Sequence, residues 1–181
     1  MSKNVKEWIV IIAIAIAVAF VISIFIRPTI VKQSSMEPTF INGDYILVSK
    51  QSYGLFNQNP KEGDVIVFKS HLETDDGDEK LLIKRVIGVP GDKIQIKDGY
   101  VYKNGTKLEE DYVKQQGVTR PYEDGITEKT YTVPENSVFA MGDNREVSVD
   151  SRSVAVGFVS VDDIYGKVVL RAFPFDRIKT F

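Results

Sequence analysis

The chain has 181 residues and a nearly balanced charge, with 23 Lys and Arg against 25 Asp and Glu. This balance argues against a nucleic-acid-binding protein, which would carry a clear excess of basic residues. The chain has no Cys and one His, His71, which excludes disulfides, a thiol nucleophile and a metal site built on several histidines. We therefore expect no metal and no cofactor, and any catalysis should use a base other than the usual histidine.

A charge-free apolar run of 19 residues lies near the N-terminus, from Trp8 to Ile26. As a helix it would be about 28 Å long, which matches the hydrocarbon core of a bilayer. The run is longer than the ~7–15 residues of a cleavable signal core, and its Ala-x-Ala triplets lie in its middle. Because it is apolar on every side, it does not resemble the amphipathic helix of a soluble domain. We predict an uncleaved transmembrane anchor.

The anchor divides the chain into residues 1–7, the anchor itself at residues 8–26 and a domain at residues 27–181. Lys3 and Lys6 favour a cytoplasmic N-terminus, although basic residues also follow the anchor. We therefore expect a single-pass protein of the cell membrane whose main domain lies outside the cytoplasm.

Beyond the anchor the patterning is that of short β-strands, and no long stretch has helical periodicity. Apolar or alternating runs bounded by Gly, Asp, Asn or Pro indicate strands, namely Tyr45–Val48, Val65–Phe68, Leu81–Ile87, Lys93–Lys97, Tyr100–Tyr102, Ser137–Met141 and Lys167–Leu170. Asp98-Gly99 and Asn104-Gly105 are typical of tight hairpin turns. The sequence thus predicts a mainly β protein, with a transmembrane helix followed by an all-β sandwich or partly open barrel.

Two polar stretches are predicted to be surface insertions, residues 71–80 and residues 109–130. The first is acidic and contains Gly, and the second is polar and irregular, as expected of solvated segments away from the core. His71 lies at the edge of the first without a Ser–Asp arrangement nearby, so we expect a solvated histidine. Four apolar residues belong either to the core or to a surface at the membrane interface: Phe40, Ile41, Leu55 and Phe56.

Three motifs carry residue types that can take part in catalysis. Ser34-Ser35-Met36-Glu37-Pro38-Thr39 follows the anchor, either as a turn that exposes a hydroxyl for chemistry or as an ordinary linker turn. Lys84 lies in a predicted strand with Leu82 and Ile83 before it and Arg85, Val86 and Ile87 after it. If it points outward it is an ordinary solvated lysine, whereas burial would lower its pKa and supply a neutral amine as a base. The third motif, residues 141–152, places small polar and charged residues directly after an apolar strand.

Together the motifs resemble those of bacterial type I signal peptidases, membrane-anchored serine endopeptidases with a Ser/Lys dyad. The resemblance covers nearly the whole chain and includes the anchor, Ser35-Met36-x-Pro38-Thr39, Gly43-Asp44-Tyr45, Lys84-Arg85-Val86-Ile87-Gly88, Pro90-Gly91-Asp92, Gly142-Asp143-Asn144-Arg145 and Ser148-x-Asp150-Ser151-Arg152. The compact length and single anchor are similar to the short Gram-positive members. The resemblance implies an enzyme that removes signal peptides from exported preproteins after small residues.

The resemblance also implies roles for individual residues. Ser35 matches the nucleophile, Lys84 the general base, and Ser148 the serine that orients the lysine amine. The Ser35 N–H would be one oxyanion donor. The second donor is left open by Gln33, which stands where some relatives carry a serine. Structural support of the site is implied for a further set: Met36, Pro38, Arg85, Asp143, Arg145, Asp150 and Arg152. Among these, Met36 is expected beside the substrate cleft and Asp143 in an ion pair with Arg85.

The partners that the resemblance implies are the signal peptides of preproteins, the lipid bilayer and the secretion translocon, with no nucleic acid. Two other functions fit parts of the sequence. A catalytically silent, membrane-anchored β-domain that binds exported chains would have lost Ser35 or Lys84, and both are present. A self-cleaving regulator with a related Ser/Lys fold would carry a DNA-binding domain where this chain has its anchor.

Overall fold

The N-terminal helix runs without a linker into the β domain in the computed structural model, which describes residues 3–53, 59–73 and 79–181. Helix α1 (Lys3–Phe25) is followed at once by strand β1 (Ile26–Ile30). Within the described residues, Val5–Phe25 is the one helical segment long and apolar enough to cross a membrane, and the rest of the protein buries none of it. Lys50 supports the junction, because its backbone N–H donates to the Phe25 carbonyl over 2.9 Å.

Two antiparallel sheets make up the rest of the described fold. Their further strands are β2 (Tyr45–Ser49), β3 (Val65–Glu73), β4 (Glu79–Gly88), β5 (Lys93–Lys97), β6 (Tyr100–Lys103), β7 (Thr106–Lys107), β8 (Lys129–Thr132), β9 (Ser137–Met141), β10 (Val159–Ser160), β11 (Ile164–Phe173) and β12 (Lys179–Thr180). The larger sheet has the order β1-β2-β11-β3-β4-β9-β10 with β12 beside β11, and the smaller has the order β7-β6-β5-β8. Beyond α1, the described helices are two 3₁₀ turns, Val161–Asp163 and Phe175–Arg177. The predicted mainly β fold with an N-terminal apolar helix is confirmed.

The hairpins of the smaller sheet turn at the two predicted dipeptides. Asp98 and Gly99 have φ values of 52° and 85°, and Asn104 and Gly105 have 51° and 86°. Two successive left-handed residues are what a tight hairpin turn requires, and Asn, Asp and Gly adopt this conformation at low cost. The local sequence therefore favours tight turns at these two positions.

The hairpin between β3 and β4 differs from the predicted surface loop of residues 71–80. Residues 71–73 still belong to β3 and residues 79–80 to β4, so strands continue into both ends of that stretch. Residues 74–78 lie outside the described residues. An acidic composition does not reveal such an extension, because strand pairing uses backbone groups that every residue except proline provides.

The second predicted insertion, residues 109–130, is not a segment away from the core. It links β7 to β8 and consists largely of turns, yet Glu110, Val113 and Thr119 are only 6%, 8% and 3% exposed. Glu110 lies inward because it pairs with a buried arginine. The polar sequence of this segment is typical of a solvated surface. The arginine that compensates the Glu110 charge is brought to it only by folding.

One core cluster lies directly behind the turn that carries Ser35. Phe40 is fully buried there and packs with Met36 and Ile46, so Phe40 is a core residue and not part of a membrane surface. Ile41 is 40% exposed, and Leu55 and Phe56 lie outside the described residues. The core therefore fixes the base of the turn.

Candidate active site

Strand β4 brings Lys84 to Ser35, 49 positions away in the sequence. Lys84 is 1% exposed. Its Nζ donates hydrogen bonds to the Ser35 Oγ over 2.9 Å and to the Ile83 carbonyl over 3.0 Å. The sequence left two orientations open for this strand lysine, and the structure has the inward one.

Burial lowers the pKa of the Lys84 ammonium from 10.5 to about 8. Asp150 and Asp143 oppose this shift because they favour the charged form, while Arg152 and Lys80 add to it. Removing the ammonium from water thus outweighs the two carboxylates. With such a pKa about a tenth of the Lys84 amines are neutral at pH 7, against roughly three in ten thousand for a solvated lysine.

Ser35 lies in a tight turn, residues 34–40, whose apolar side chains are part of the core. Met36 and Phe40 are buried, and the Phe40 N–H donates to the Met36 carbonyl over 2.8 Å. Pro38 follows a cis peptide bond, and its carbonyl accepts a hydrogen bond from Arg177 over 3.3 Å. Packing below the turn leaves Ser35 half-buried at the surface of a cleft.

Asn144 joins this turn to the loop of residues 142–152. Its backbone N–H donates to the Ser35 carbonyl over 3.0 Å, and its side-chain amide donates to the Ser34 carbonyl over 3.1 Å. Within the described residues the Ser35 N–H donates to no backbone carbonyl, which leaves it available to an incoming oxygen. Gln33 lines the same cleft.

Arg85, next to Lys84 on β4, forms a buried ion pair with Asp143. Its Nε and Nη2 donate to the two carboxylate oxygens over 2.9 and 2.7 Å. Nη2 also donates to the Thr39 hydroxyl over 3.3 Å. Arg85 is 8% exposed and Asp143 is fully buried. The pair thus joins β4, the turn of residues 34–40 and the loop of residues 142–152.

Asp150 and Arg152 form a second buried pair within that loop. The Arg152 Nε and Nη2 donate to Asp150 over 2.8 and 2.9 Å, and the Gly142 N–H donates to Asp150 over 3.0 Å. Burial alone would raise the pKa of the Asp150 carboxyl, but Arg152 and these hydrogen bonds hold it below its usual value. Arg152 also donates to the carbonyls of Arg145 and Ser148 over 2.9 and 3.2 Å, so the pair fixes the loop backbone.

Arg145 is held by Glu110, a residue that the sequence analysis missed. Arg145 donates to the two Glu110 carboxylate oxygens over 2.5 and 3.1 Å and, through Nε, to the Gly142 carbonyl over 2.9 Å. Burial would lower the pKa of the Arg145 guanidinium, but Glu110 more than offsets this and raises it. The sequence signal at Glu110 is an acidic residue in a polar stretch, which fits any surface position equally well.

Ser148 lies in the site but does not form the expected hydrogen bond with Lys84. Its Oγ is buried, and no group among the described residues forms a hydrogen bond of ordinary length and angle with it. It is near enough to Asp150 to favour the carboxylate form of that residue. A Cβ added at Gly142 would lie 2.3 Å from the Ser148 Oγ and 2.5 Å from the Ser35 carbonyl oxygen. Glycine is therefore required at position 142.

Two cavities flank Ser35, and alternate residues of β4 line them. One has a volume of about 490 Å³ and is lined by Leu82 and Lys84, and the other has a volume of about 530 Å³ and is lined by Leu81 and Ile83. The hydrogen-bonded register of β4 with β9 begins at Arg85. Within the described residues, positions 81–84 consequently have no strand partner on that side. The site is an open cleft beside a free strand edge.

His71 takes no part in this arrangement. Its side chain is exposed on β3, and the Ser35 Oγ instead accepts its hydrogen bond from Lys84. The cleft therefore brings together a serine and a lysine, with three arginine–carboxylate pairs around them.

The family of the chain follows from comparison with known proteins. The family described as "Signal peptidase, peptidase S26" matches residues 5–173. The chain belongs to this family. Signal peptidase IB of Staphylococcus aureus (strain COL) is 36% identical over 194 residues, which cover 99% of this chain and 95% of that protein. Signal peptidase I P of Bacillus subtilis subsp. natto is 34% identical over 186 residues, covering 98% and 94%. A crystal structure of a signal peptidase I from Enterococcus faecalis V583 is 31% identical, with a TM-score of 0.47, and the match covers 61% of this chain and 97% of that one.

Membership in the signal peptidase family confirms the resemblance seen in the motifs. It identifies the chain as a peptidase that processes signal peptides. It also fits an apolar N-terminal helix of membrane-spanning length ahead of the β domain.

Proposed function

We propose that this signal peptidase cuts preproteins with Ser35 as the nucleophile and Lys84 as the general base. The observation that carries the proposal is the 2.9 Å hydrogen bond between the Lys84 Nζ and the Ser35 Oγ, made by a lysine that is 1% exposed. A serine hydroxyl needs an adjacent base to attack a peptide bond. In a chain without Cys and with an exposed His71, the buried amine supplies that base.

The neutral Lys84 amine accepts the hydroxyl proton as the Ser35 Oγ attacks the carbonyl carbon of the scissile bond. The Ser35 N–H stabilises the resulting oxyanion. The Lys84 ammonium then protonates the departing amine of the mature protein, which leaves the signal peptide as an ester on Ser35. A water molecule that Lys84 deprotonates hydrolyses this ester and restores the enzyme. Ser148 is assigned the orientation of the amine, because the family resemblance implies that role and its buried hydroxyl forms no hydrogen bond of ordinary length and angle among the described residues.

The surrounding polar residues support the site and do not transfer protons. Arg85, Arg145 and Arg152 each face a carboxylate at 2.7, 2.5 and 2.8 Å. Removing one member of such a pair costs free energy, because the other charge would remain buried without compensation. Together with the packing under Ser35, these pairs fix the geometry, and the supporting set is Met36, Pro38, Arg85, Asp143, Arg145, Asp150 and Arg152.

The signal peptide binds as an extended strand along residues 81–84 of β4. The described residues leave this edge without a strand partner, so an added strand gains backbone hydrogen bonds there while its alternate side chains enter pockets. Side chains two positions apart on a strand point the same way. We therefore expect small residues at the first and third positions before the cut, with Met36 lining the cavity beside them.

The apolar helix holds this cleft at a membrane. We assign α1 as a single-pass anchor of the cell membrane, with a cytoplasmic N-terminus and an extracytoplasmic catalytic domain at residues 27–181. β1 begins at the residue after the helix, which keeps the cleft close to the bilayer surface where preproteins emerge. The partners are then signal peptides, the bilayer and the secretion translocon.

Incubation of the full-length protein in detergent with a preprotein, followed by mass analysis of the products, tests this function. One cut at the end of the signal peptide is expected, with small residues at the first and third positions before it. A folded protein that binds the preprotein without cutting it would instead support a catalytically silent β-domain.

Peptide cleavage is expected to accelerate as the pH rises through the Lys84 pKa of about 8. Below that pH the base is protonated and cannot accept the Ser35 proton. A pH–rate profile, with folding monitored at each pH, measures this rise in the cleavage rate. A rate that does not change between about pH 5 and pH 9 would argue against Lys84 as the base. A rise in rate near the usual histidine pKa of about 6.5 that disappears in His71→Ala would assign the role of base to His71.

The same group links pH to stability. Because burial lowers the folded-state pKa of Lys84 from 10.5 to about 8, the folded protein binds this proton less tightly than the unfolded chain does. Its contribution to the free energy of unfolding is therefore lowest below pH 8 and rises between about pH 8 and 10.5, by an amount on the order of 3 kcal/mol. Comparing wild-type and Lys84→Met unfolding across this range isolates the contribution.

Removal of residues 1–25 is expected to leave a folded domain that cuts soluble peptides but processes membrane-bound preproteins roughly a hundredfold more slowly. The helix ends at Phe25 and is not buried by the domain, so the deletion removes no core residue. The anchor acts by raising the effective concentration of enzyme at the bilayer. Rates on a peptide and on a vesicle-embedded preprotein should diverge in the truncated protein. Equal retention of both rates would refute the anchoring role.

A further inference from the structure

One short segment of the predicted insertion contacts the three chain segments that carry or surround the catalytic residues. We propose that residues 110–114, here called the positioning segment, set the geometry between Ser35 and Lys84. The proposal rests on the function proposed above. Three alternate side chains carry it, since Glu110, Tyr112 and Lys114 each contact a different part of the site.

Glu110 connects the segment to the loop of residues 142–152. Its carboxylate pairs with Arg145 over 2.5 Å, and the two side chains are 5% and 0% exposed. Arg145 in turn donates to the Gly142 carbonyl over 2.9 Å. Gly142 packs against Ser35, because a Cβ at Gly142 would lie 2.5 Å from the Ser35 carbonyl oxygen. A shift of Glu110 is thereby transmitted to the backbone of the nucleophile.

Tyr112 connects the segment to β4. The Arg85 guanidinium carbon lies 4.1 Å from the centre of the Tyr112 ring, within the range of a cation–π contact. The Tyr112 hydroxyl donates to Glu110 over 2.9 Å, and burial raises its pKa, so it remains a donor. Arg85 is the neighbour of Lys84 on the strand, and its guanidinium pairs with Asp143.

Lys114 connects the segment to the turn of residues 34–40. Its Nζ pairs with the Glu37 carboxylate over 2.7 Å, two residues beyond Ser35. Its backbone N–H donates to the Asp143 carbonyl over 3.0 Å. Unlike the contacts of Glu110 and Tyr112, the side-chain pair is partly exposed, with 49% of the Lys114 side chain accessible. It can therefore be altered without placing a charge in the core.

The positioning segment thus contacts the turn of residues 34–40, strand β4 and the loop of residues 142–152, which packs against the other two. These three elements come from distant parts of the sequence. Attack by a serine depends on the relative position of hydroxyl and base, and a displacement near 1 Å costs about a hundredfold in rate. Glu110, Tyr112 and Lys114 are positioning residues, since none of them touches Ser35 or Lys84 directly.

Steady-state kinetics of the full-length protein in detergent on a signal-peptide substrate test the proposal. Lys114→Glu places two carboxylates together and is expected to lower kcat about fivefold with KM unchanged, and adding Glu37→Lys should restore kcat by reversing the pair. Tyr112→Leu is expected to lower kcat about tenfold, whereas Tyr112→Phe, which keeps the ring, should have a smaller effect. Lys93→Glu makes the same charge change at an exposed site on β5 and should leave kcat unchanged.

Wild-type kcat in folded Lys114→Glu and Tyr112→Leu would overturn the proposal, as would a double charge reversal no faster than Lys114→Glu. A second readout does not depend on activity. The Asn144 amide, which donates to the Ser35 carbonyl, should exchange its hydrogen faster in Tyr112→Leu than in wild-type or Lys93→Glu protein. Unchanged exchange would also overturn the proposal. If the wild-type protein cuts no peptide, the proposed function fails, and the exchange rates still decide whether the segment positions the Ser35 turn.

Discussion

Ser35→Ala protein is expected to fold normally and to lose cleavage by a factor of roughly 10⁴ or more. The substitution removes the only hydroxyl that Lys84 contacts among the described hydrogen bonds. Lys84→Ala should have a similar effect, because no other side chain within residues 3–53, 59–73 and 79–181 forms a hydrogen bond with the Ser35 hydroxyl. Lys84→Met keeps more of the buried volume if folding is impaired. The double mutant should be no slower than either single one, since the two residues act as a unit. Mass analysis of preprotein digests provides the measurement.

Neighbouring residues supply matched controls for this experiment. Ser34→Ala removes the hydroxyl one position earlier, Lys80→Ala removes a lysine of the same strand that lines the same cleft, and His71→Ala removes the single histidine. All three should retain cleavage within a few-fold. Substantial turnover by folded Ser35→Ala protein would rule out Ser35 as the nucleophile, and inactivation by Ser34→Ala would move that role by one residue.

A preprotein with Phe at the last position before the cut is expected to be cleaved at least a hundredfold more slowly than one with Ala. The cavities of about 490 and 530 Å³ must hold an extended backbone together with several side chains. Met36, which lines one of them, also belongs to the buried core under Ser35, so it cannot move aside cheaply. The rates of cleavage of the Ala and Phe preproteins, measured at equal concentration, give the ratio.

Phe at the second position before the cut is the matched control. In an extended substrate this side chain points to the opposite side of the strand, and it should be tolerated within about tenfold. Efficient cleavage of the first-position Phe preprotein would contradict small pockets at the cut. Equal sensitivity at both positions would contradict binding as an extended strand.

The sequence by itself determined the features that depend on local composition. The run from Trp8 to Ile26 predicts a membrane-spanning helix because its length and lack of charge need no tertiary partner, and the structure has α1 at Lys3–Phe25. Alternating runs such as Lys93–Lys97 predict strands, and this one is β5 with unchanged bounds. The order of the Ser, Lys and Gly-Asp motifs predicted the family, which the comparisons confirm.

Only the tertiary structure decided which side chains meet. A strand presents side chains to two faces, so the inward position of Lys84 and its lowered pKa depend on how β4 packs. The resemblance to the family implied the pair of Arg85 and Asp143, which are 58 positions apart, but nothing in the sequence indicated the pair of Arg145 and Glu110, which are 35 apart. No local pattern encodes contacts over such separations. For the same reason the sequence placed residues 109–130 at the surface, while the fold buries Glu110. An acidic side chain enters the interior only where a partner already lies there to compensate its charge, and that partner is set by the packing of the whole domain.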